Sequence, residues 1–222
     1  MNKKRAVISL SGGMDSTTVL AWMIANGYEC DCVGFYYGSK HNQYENELAR
    51  TISDNYDVPF QLIDISSVMK EFKSNLLMSG GDIPEGHYEE KSMSQTVVPG
   101  RNMIFISILA GYAWSKGAEA IGMGIHQGDH AIYADCRQEF FYAMNTACYL
   151  GSEGRVKLIA PFLETDKTGI LEYGISKNVP YQLTRTCYKH QEISCGKCGS
   201  CQERLEAFKN IGHIDPIKYE GQ

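Results

Sequence analysis

Two stretches of this chain bring together side chains that can do chemistry. Ser11-Gly12-Gly13-Met14-Asp15-Ser16 stands between an apolar run at 6–10 and a helix-like segment from 17 onward. Small residues in such a turn let backbone N–H groups point inward, and the helix that follows offers a partial positive charge. Ser11, Gly12, Gly13, Ser16 and Thr17 therefore suit a phosphate group. The lysine of G-x-x-x-x-G-K-[ST] is missing, as is G-x-G-x-x-G, which disfavours a γ-phosphate hydrolase and a dinucleotide-dependent dehydrogenase. The plainer alternative is a Gly-rich turn capped by Asp15 or Ser16. The second stretch is Cys187-x7-Cys195-x2-Cys198-x2-Cys201, with Gly196 and Gly199 after cysteines where a metal knuckle must turn. Four thiolates close a tetrahedral sphere, so a zinc ion there would be structural, with no open position for water. An iron–sulfur cluster or a redox C-x-x-C pair are the other uses of such spacing.

Further polar groups fall in loops or at helix starts. Arg101 and Asn102 follow Pro99-Gly100 at the head of an apolar segment, where a guanidinium fork can meet a phosphate or carboxylate, or make a structural salt bridge. Asp129, Asp135 and Arg137 share a polar loop. A carboxylate there can accept two N–H bonds, and Arg137 can fork onto a carboxylate. Lys167 in TDKTGI is a further cation for phosphate, or a solvated helix-start lysine. His126 and His130 flank the Asp129 loop and read as lining residues.

These groups need a scaffold, and the chain's periodicity supplies one. Strand-like runs at 6–10, 32–37, 60–65, 120–125 and 156–159 alternate with helix-like segments at 17–26, 43–55, 101–116, 137–149 and 167–177. Such alternation predicts an α/β fold, a doubly wound, mostly parallel sheet that binds ligands at the carboxyl ends of its strands. Residues 79–100 break the pattern with Gly80, Gly81, Pro84 and Gly86 and read as a mobile flap. Beyond Pro180 the cysteine cluster begins, and a last helix is expected at 202–210. The division expected is a 1–180 nucleotide-binding α/β domain and a 181–222 zinc-binding, helical subdomain.

Composition narrows the class. With 222 residues, 43% of them hydrophobic, the chain can bury one sizeable core. Its formal charge of -5 and pI near 5.7 disfavour a surface that tracks nucleic acid. No signal peptide and no membrane-length apolar window is seen, so a cytoplasmic enzyme of small molecules is expected. In that reducing setting the clustered cysteines suggest metal before disulfides, and Cys30, Cys32, Cys136 and Cys148 read as small buried hydrophobes.

SGGMDS with its helix start resembles the signature of the PP-loop ATP pyrophosphatases, which split ATP between the α- and β-phosphates and adenylate a substrate. VVPGRNMIF at 97–105, GDHAIYADCRQEF at 128–140 and TCYKHQEISCGKCGSC at 186–201 resemble, together with it, the 7-cyano-7-deazaguanine synthases of queuosine biosynthesis. The likeness runs nearly end to end. One departure is Ala134, where that family usually has proline, which relaxes the turn before Asp135. The resemblance implies ATP-dependent conversion of 7-carboxy-7-deazaguanine and ammonia to the nitrile through an amide, releasing AMP and pyrophosphate. It implies an ATP site of Leu10, Ser11, Gly12, Gly13, Met14, Asp15, Ser16, Thr17, Thr18, Val19 and Leu20, and catalytic roles for Asp15, Arg101 and Lys167. Substrate contacts fall to Arg101, Asn102, Asp129, Asp135 and Arg137. One structural zinc on Cys187, Cys195, Cys198 and Cys201, Mg²⁺ with ATP, and a homodimer without nucleic acid or membrane complete the expectation. A PP-loop tRNA-modifying enzyme, a related ligase using another amine and a non-catalytic zinc module are the competing readings.

Overall fold

The computed structural model describes residues 4–221, the side chains of Asp129 and His130 excepted. Strands β1 (Lys4–Ser9), β2 (Tyr28–Tyr36), β3 (Phe60–Asp64), β4 (Ala120–Gly122) and β5 (Lys157–Ile159) all pair in parallel, in the order β3-β2-β1-β4-β5. Parallel neighbours need crossovers. These are built around α1 (Met14–Ala25), α2 (Asn42–Asn55), the single turn α3 (Ser66–Met69), α4 (Arg101–Ser115) and α5 (Gln138–Gly151), while α6 (Lys167–Ser176) and α7 (Gly199–Asn210) follow the last strand.

Side chains alternate across the sheet and fill both faces. Val7, Val33, Ile121 and Leu158 share one apolar cluster with Phe105, Leu109 and Phe141 of α4 and α5. Ala6, Ile8, Cys32 and Ala120 join Val19, Leu20, Ile52 and Ile170 of α1, α2 and α6 on the other. The inner strands β1 and β4 carry continuous buried stretches because both faces are covered there, while the edge strand β3 is partly exposed. Cys30, Cys32, Cys136 and Cys148 are buried.

Element ends depart from the sequence expectation for local reasons. Helix α1 starts at Met14 rather than at 17, because the Thr17 and Thr18 hydroxyls bond back to the carbonyls of Gly13 and Met14, each at 2.7 Å, and support an earlier turn. Strand β4 stops at Gly122, where its partner β5 ends, and residues 123–125 run on as the floor of a cavity. Helix α7 begins at Gly199, directly after Cys198.

The segment read as a mobile flap is fastened down. It contains a 3-10 turn, Lys91–Thr96, and the Gly86 N–H donates to the Lys197 carbonyl at 3.0 Å. Glu85 bridges to Cys198 and takes an ion pair from Lys189, and His87 meets Glu206 at 3.4 Å. The tail is held by Arg204, which is fully buried and forks onto Asp215 at 2.7 and 2.9 Å. Among the described residues no helix is long and apolar enough to cross a membrane.

Candidate active site

The sheet order reverses at β1, with β2 on one side and β4 on the other, and crossovers diverging there leave a crevice beyond the strand ends. A cavity opens at this point, lined by Leu10, Ser11, Gly13, Asp15 and Ser16 from the β1–α1 turn, by Arg101 and Asn102 from α4, and by Lys167 from α6. Residues from widely separated parts of the chain converge on it.

The turn is shaped by its glycines. Gly12 has φ +81°, and a Cβ there would fall 2.4 Å from the Glu45 carbonyl oxygen, so only glycine fits without strain. Gly13 is the N-cap of α1 and gives that helix no side-chain cap. Ser16 instead turns sideways, its Oγ accepting from the Ser11 N–H at 3.2 Å and lying 3.1 Å from Ser11 Oγ. Across the crevice, a Cβ on Gly124 would sit 3.1 Å from the Ser16 nitrogen. The result is a helix N-terminus without a side-chain cap, facing a cavity, with its flanks kept clear of side chains. That arrangement suits a phosphate.

Asp15 does not cap the helix. Its Oδ2 lies 3.3 Å from Lys167 Nζ and 3.7 Å from His126 Nε2, while Oδ1 is buried with no hydrogen-bond partner. Burial pushes the Asp15 pKa up, but the charges of Lys167 and His126 more than offset it, and the carboxyl stays ionised well below the usual carboxylate range. Lys167 is 5% exposed and lies 2.5 Å from Glu203 of α7, so it is a buried, ion-paired cation and not a solvated one. Asp166 caps α6, accepting from the Gly169 N–H at 2.9 Å, and so aims Lys167 inward.

Other residues of the sequence-derived set take supporting positions. Met14, Val19 and Leu20 are core residues at 1% exposure or less, and Thr18 bonds the Tyr181 hydroxyl at 2.8 Å; none of the four lines the cavity. Asp135 Oδ2 accepts from the backbone N–H of Asn102 at 3.0 Å, and Asn102 Nδ2 returns a bond to the Asp135 carbonyl at 3.0 Å. The two residues thus hold each other: Asp135 caps α4 from outside and helps to fix Arg101. Despite Ala134, residues Ala134–Cys136 keep a 3-10 turn, closed by the Cys136 N–H onto the Tyr133 carbonyl at 3.1 Å. Arg137 is exposed and stands outside the cavity wall, and the Asp129 side chain lies outside the described residues.

Four contributors escaped the sequence reading. Glu203, which pairs with Lys167, stands five residues after Cys198 on α7. Arg185 donates its backbone N–H to the Gly12 carbonyl at 2.9 Å, and its guanidinium reaches the Glu192, Lys189 and Gln191 carbonyls, so it ties the loop leading into the cysteines to the phosphate turn. His41 and Glu45 line the cavity wall opposite Lys167. The H-x-x-x-E spacing was the available signal, since it puts both on one helical face.

The four cysteine sulfurs of Cys187, Cys195, Cys198 and Cys201 lie within 4.8 Å of one another and are buried. A tetrahedral zinc with sulfurs at about 2.3 Å sets them about 3.8 Å apart, so the cluster can hold a metal ion after slight contraction. Backbone N–H groups of Cys195, Lys197 and Cys198 point at the Cys187 and Cys195 sulfurs at 3.3–3.4 Å, which favours thiolates.

Known proteins point the same way. The family described as queuosine biosynthesis protein QueC matches residues 5–212. A 7-cyano-7-deazaguanine synthase of Caldicellulosiruptor bescii is 46% identical over 216 residues, 97% of each chain. One from Alteromonas mediterranea is 45% identical over 98% of this chain and 99% of its own. Among solved structures, an NMN synthetase from Francisella tularensis superposes with a TM-score of 0.53 at 13% identity, covering 96% of this chain and 79% of that one, a likeness of fold alone. With its parallel sheet, its phosphate-shaped turn and a family match over nearly its whole length, this chain belongs to the QueC family of queuosine biosynthesis proteins.

Proposed function

We propose that the chain converts 7-carboxy-7-deazaguanine and ammonia to 7-cyano-7-deazaguanine by way of the amide, cleaving ATP to AMP and pyrophosphate at each activation. A carboxylate oxygen on an electron-rich ring is a poor leaving group, and transfer to AMP makes it a good one. Ammonia then gives the amide, and a second adenylation at the same site removes the remaining oxygen. The protein's part is positioning and charge neutralisation.

The observation that carries the reading is the α1 N-terminus, without a side-chain cap, opening onto the same cavity as Arg101 and Lys167. In this assignment the backbone of residues 11–16 holds the departing pyrophosphate, Arg101 meets the α-phosphate or the substrate carboxylate, and Lys167 balances charge from the far side. The buried, unpartnered Oδ1 of Asp15 fits a Mg²⁺ ion arriving with ATP, which would draw negative charge off the phosphates. Asn102 and Asp135 position Arg101, with Asp129 and Arg137 left to the deazapurine. The four cysteines are assigned one structural zinc, and the cytoplasm is the assigned compartment.

The test is exchange of labelled pyrophosphate into ATP by the purified protein with Mg²⁺ and no amine. Exchange that requires the free deazapurine acid supports the assignment. Exchange that requires tRNA and ignores the acid would replace it with RNA modification.

A further inference from the structure

The proposed reaction needs a base, and Arg101, Lys167 and Asp15, charged groups among the described residues that line the phosphate side of the cavity, are poorly suited to that role. When ammonia's lone pair bonds to the activated carbonyl carbon, the nitrogen becomes positive and must shed a proton before the bond to AMP breaks. Arg101 is always charged. Lys167 is held between two carboxylates, and Asp15 is kept ionised so firmly that it has little affinity for a proton.

The opposite wall differs in kind. Near the carboxyl end of β2, three oxygens crowd a single imidazole nitrogen: Glu45 Oε2 at 3.3 Å, Ser39 Oγ at 3.4 Å and Tyr37 Oη at 3.5 Å from His41 Nε2. That nitrogen can make one good hydrogen bond, and all three distances are long. The Tyr37 and Ser39 hydroxyls can turn either to donate or to accept, so Glu45, when ionised, is the one group of the three that can only accept, and a small molecule bearing N–H bonds that enters from the cavity can bond to it. Tyr37, His41 and Glu45 line the cavity that also holds the phosphate turn.

Resting on the reaction assigned above, we infer that Glu45 and His41 receive the incoming ammonia and take its proton, with Tyr37 and Ser39 completing its cage. Nitrogen's lone pair forms the C–N bond and the Glu45 carboxylate takes one N–H proton. His41 Nε2 accepts the new O–H, and the C–O bond to AMP breaks with its electron pair going to the phosphate oxygen. Electrostatics agree. Burial pushes the Glu45 carboxyl up to about 8, only partly offset by Arg101 and Arg185, a proton affinity matched to work near neutral pH. Burial, Arg101 and Arg185 together hold His41 neutral down to about 3, so it stays an acceptor. The groups facing the pair are Tyr37 and Ser39 from the end of β2 and the turn after it, Arg101 from α4, and Arg185 with Tyr188 from the loop leading into the cysteines.

The experiment compares two acceptors in the full-length protein carrying Glu45→Gln, a nearly isosteric change, with His41→Gln as the second variant. Hydroxylamine, far less basic than ammonia and so freed of its proton without help, reports formation of the acyl-adenylate as hydroxamate; ammonium chloride reports amide. The expected result is a ratio of amide to hydroxamate at least ~100-fold below that of the unaltered protein. An unchanged ratio, or both products falling together, makes the pair scaffold and overturns the inference. If the unaltered protein forms no hydroxamate from the acid, the assigned reaction itself fails and takes this inference with it.

Discussion

Gly12 and Gly13 are adjacent and look alike in the sequence, yet the structure gives them different work. Alanine at Gly12 must adopt φ +81°, costing about 1–2 kcal/mol. Its Cβ would also fall 2.4 Å from a backbone oxygen of α2, an overlap relieved only by shifting one element at about 1–3 kcal/mol. Near 3 kcal/mol in a chain of this size lowers the melting temperature by about 6–12 °C. At Gly13 the backbone is ordinary, φ -82°, and the nearest atoms to a new Cβ are Ser11 Oγ at 3.2 Å and the Arg185 carbonyl at 3.5 Å. Gly13→Ala should therefore melt within about 2 °C of the unaltered protein, since lost freedom of the unfolded chain offsets the contact. It does, however, put a methyl group on the lip of the phosphate turn, and displacement of the reacting groups by about 1 Å costs about 100-fold in turnover. Thermal melting and AMP release, measured side by side, check both. A Gly13→Ala protein with normal turnover would refute the phosphate assignment, and a Gly12→Ala protein that melts normally would refute the steric one.

Cys198→Ser should reduce bound zinc from about one per chain toward zero by elemental analysis and cost a few kcal/mol, about 10 °C in melting. Iron-type visible absorbance without zinc would contradict the assignment. Lys167→Met leaves Asp15 and Glu203 facing each other without their shared cation, a loss of about 3–5 kcal/mol that Glu203→Gln in the same chain should partly restore in a double-mutant cycle. Glu45 ionises at about 8 in the fold against 4.5 in the reference state, so the folded chain carries the extra proton in between. Its contribution is complete below 4.5 and is lost as pH rises through 8. Between pH 6.5 and 8 the melting temperature of Glu45→Gln should accordingly gain on the unaltered protein, by at most about 2 kcal/mol in stability; an unaltered protein that gains on the variant over that range would reverse the sign of the reasoning.

What could be read from the sequence was whatever depends on local pattern. The parallel sheet followed from apolar runs at β1 and β2, because strands covered on both faces carry no polar alternation, and the phosphate turn followed from two glycines set before a helix. The cysteine cluster was equally plain, since its spacing is its geometry. Residues recruited across the fold were not legible. Glu203 reaches Lys167 only because α7 packs against α6, and nothing within the sequence around position 203 announces this. Glu45 fell within an ordinary helix and His41 just ahead of it, and the groups that surround them, Arg101, Arg185 and Tyr188, arrive from distant segments. The position of Asp135 was missed for the same reason: an aspartate in a loop says nothing of which helix end it will cap.

The most direct measurement is mass spectrometry of the products formed from ATP, Mg²⁺, an ammonium salt and 7-carboxy-7-deazaguanine. AMP and pyrophosphate should accumulate with the amide appearing first and the nitrile after it. ADP in place of AMP, or an acid left untouched while tRNA is modified, would contradict the assigned chemistry.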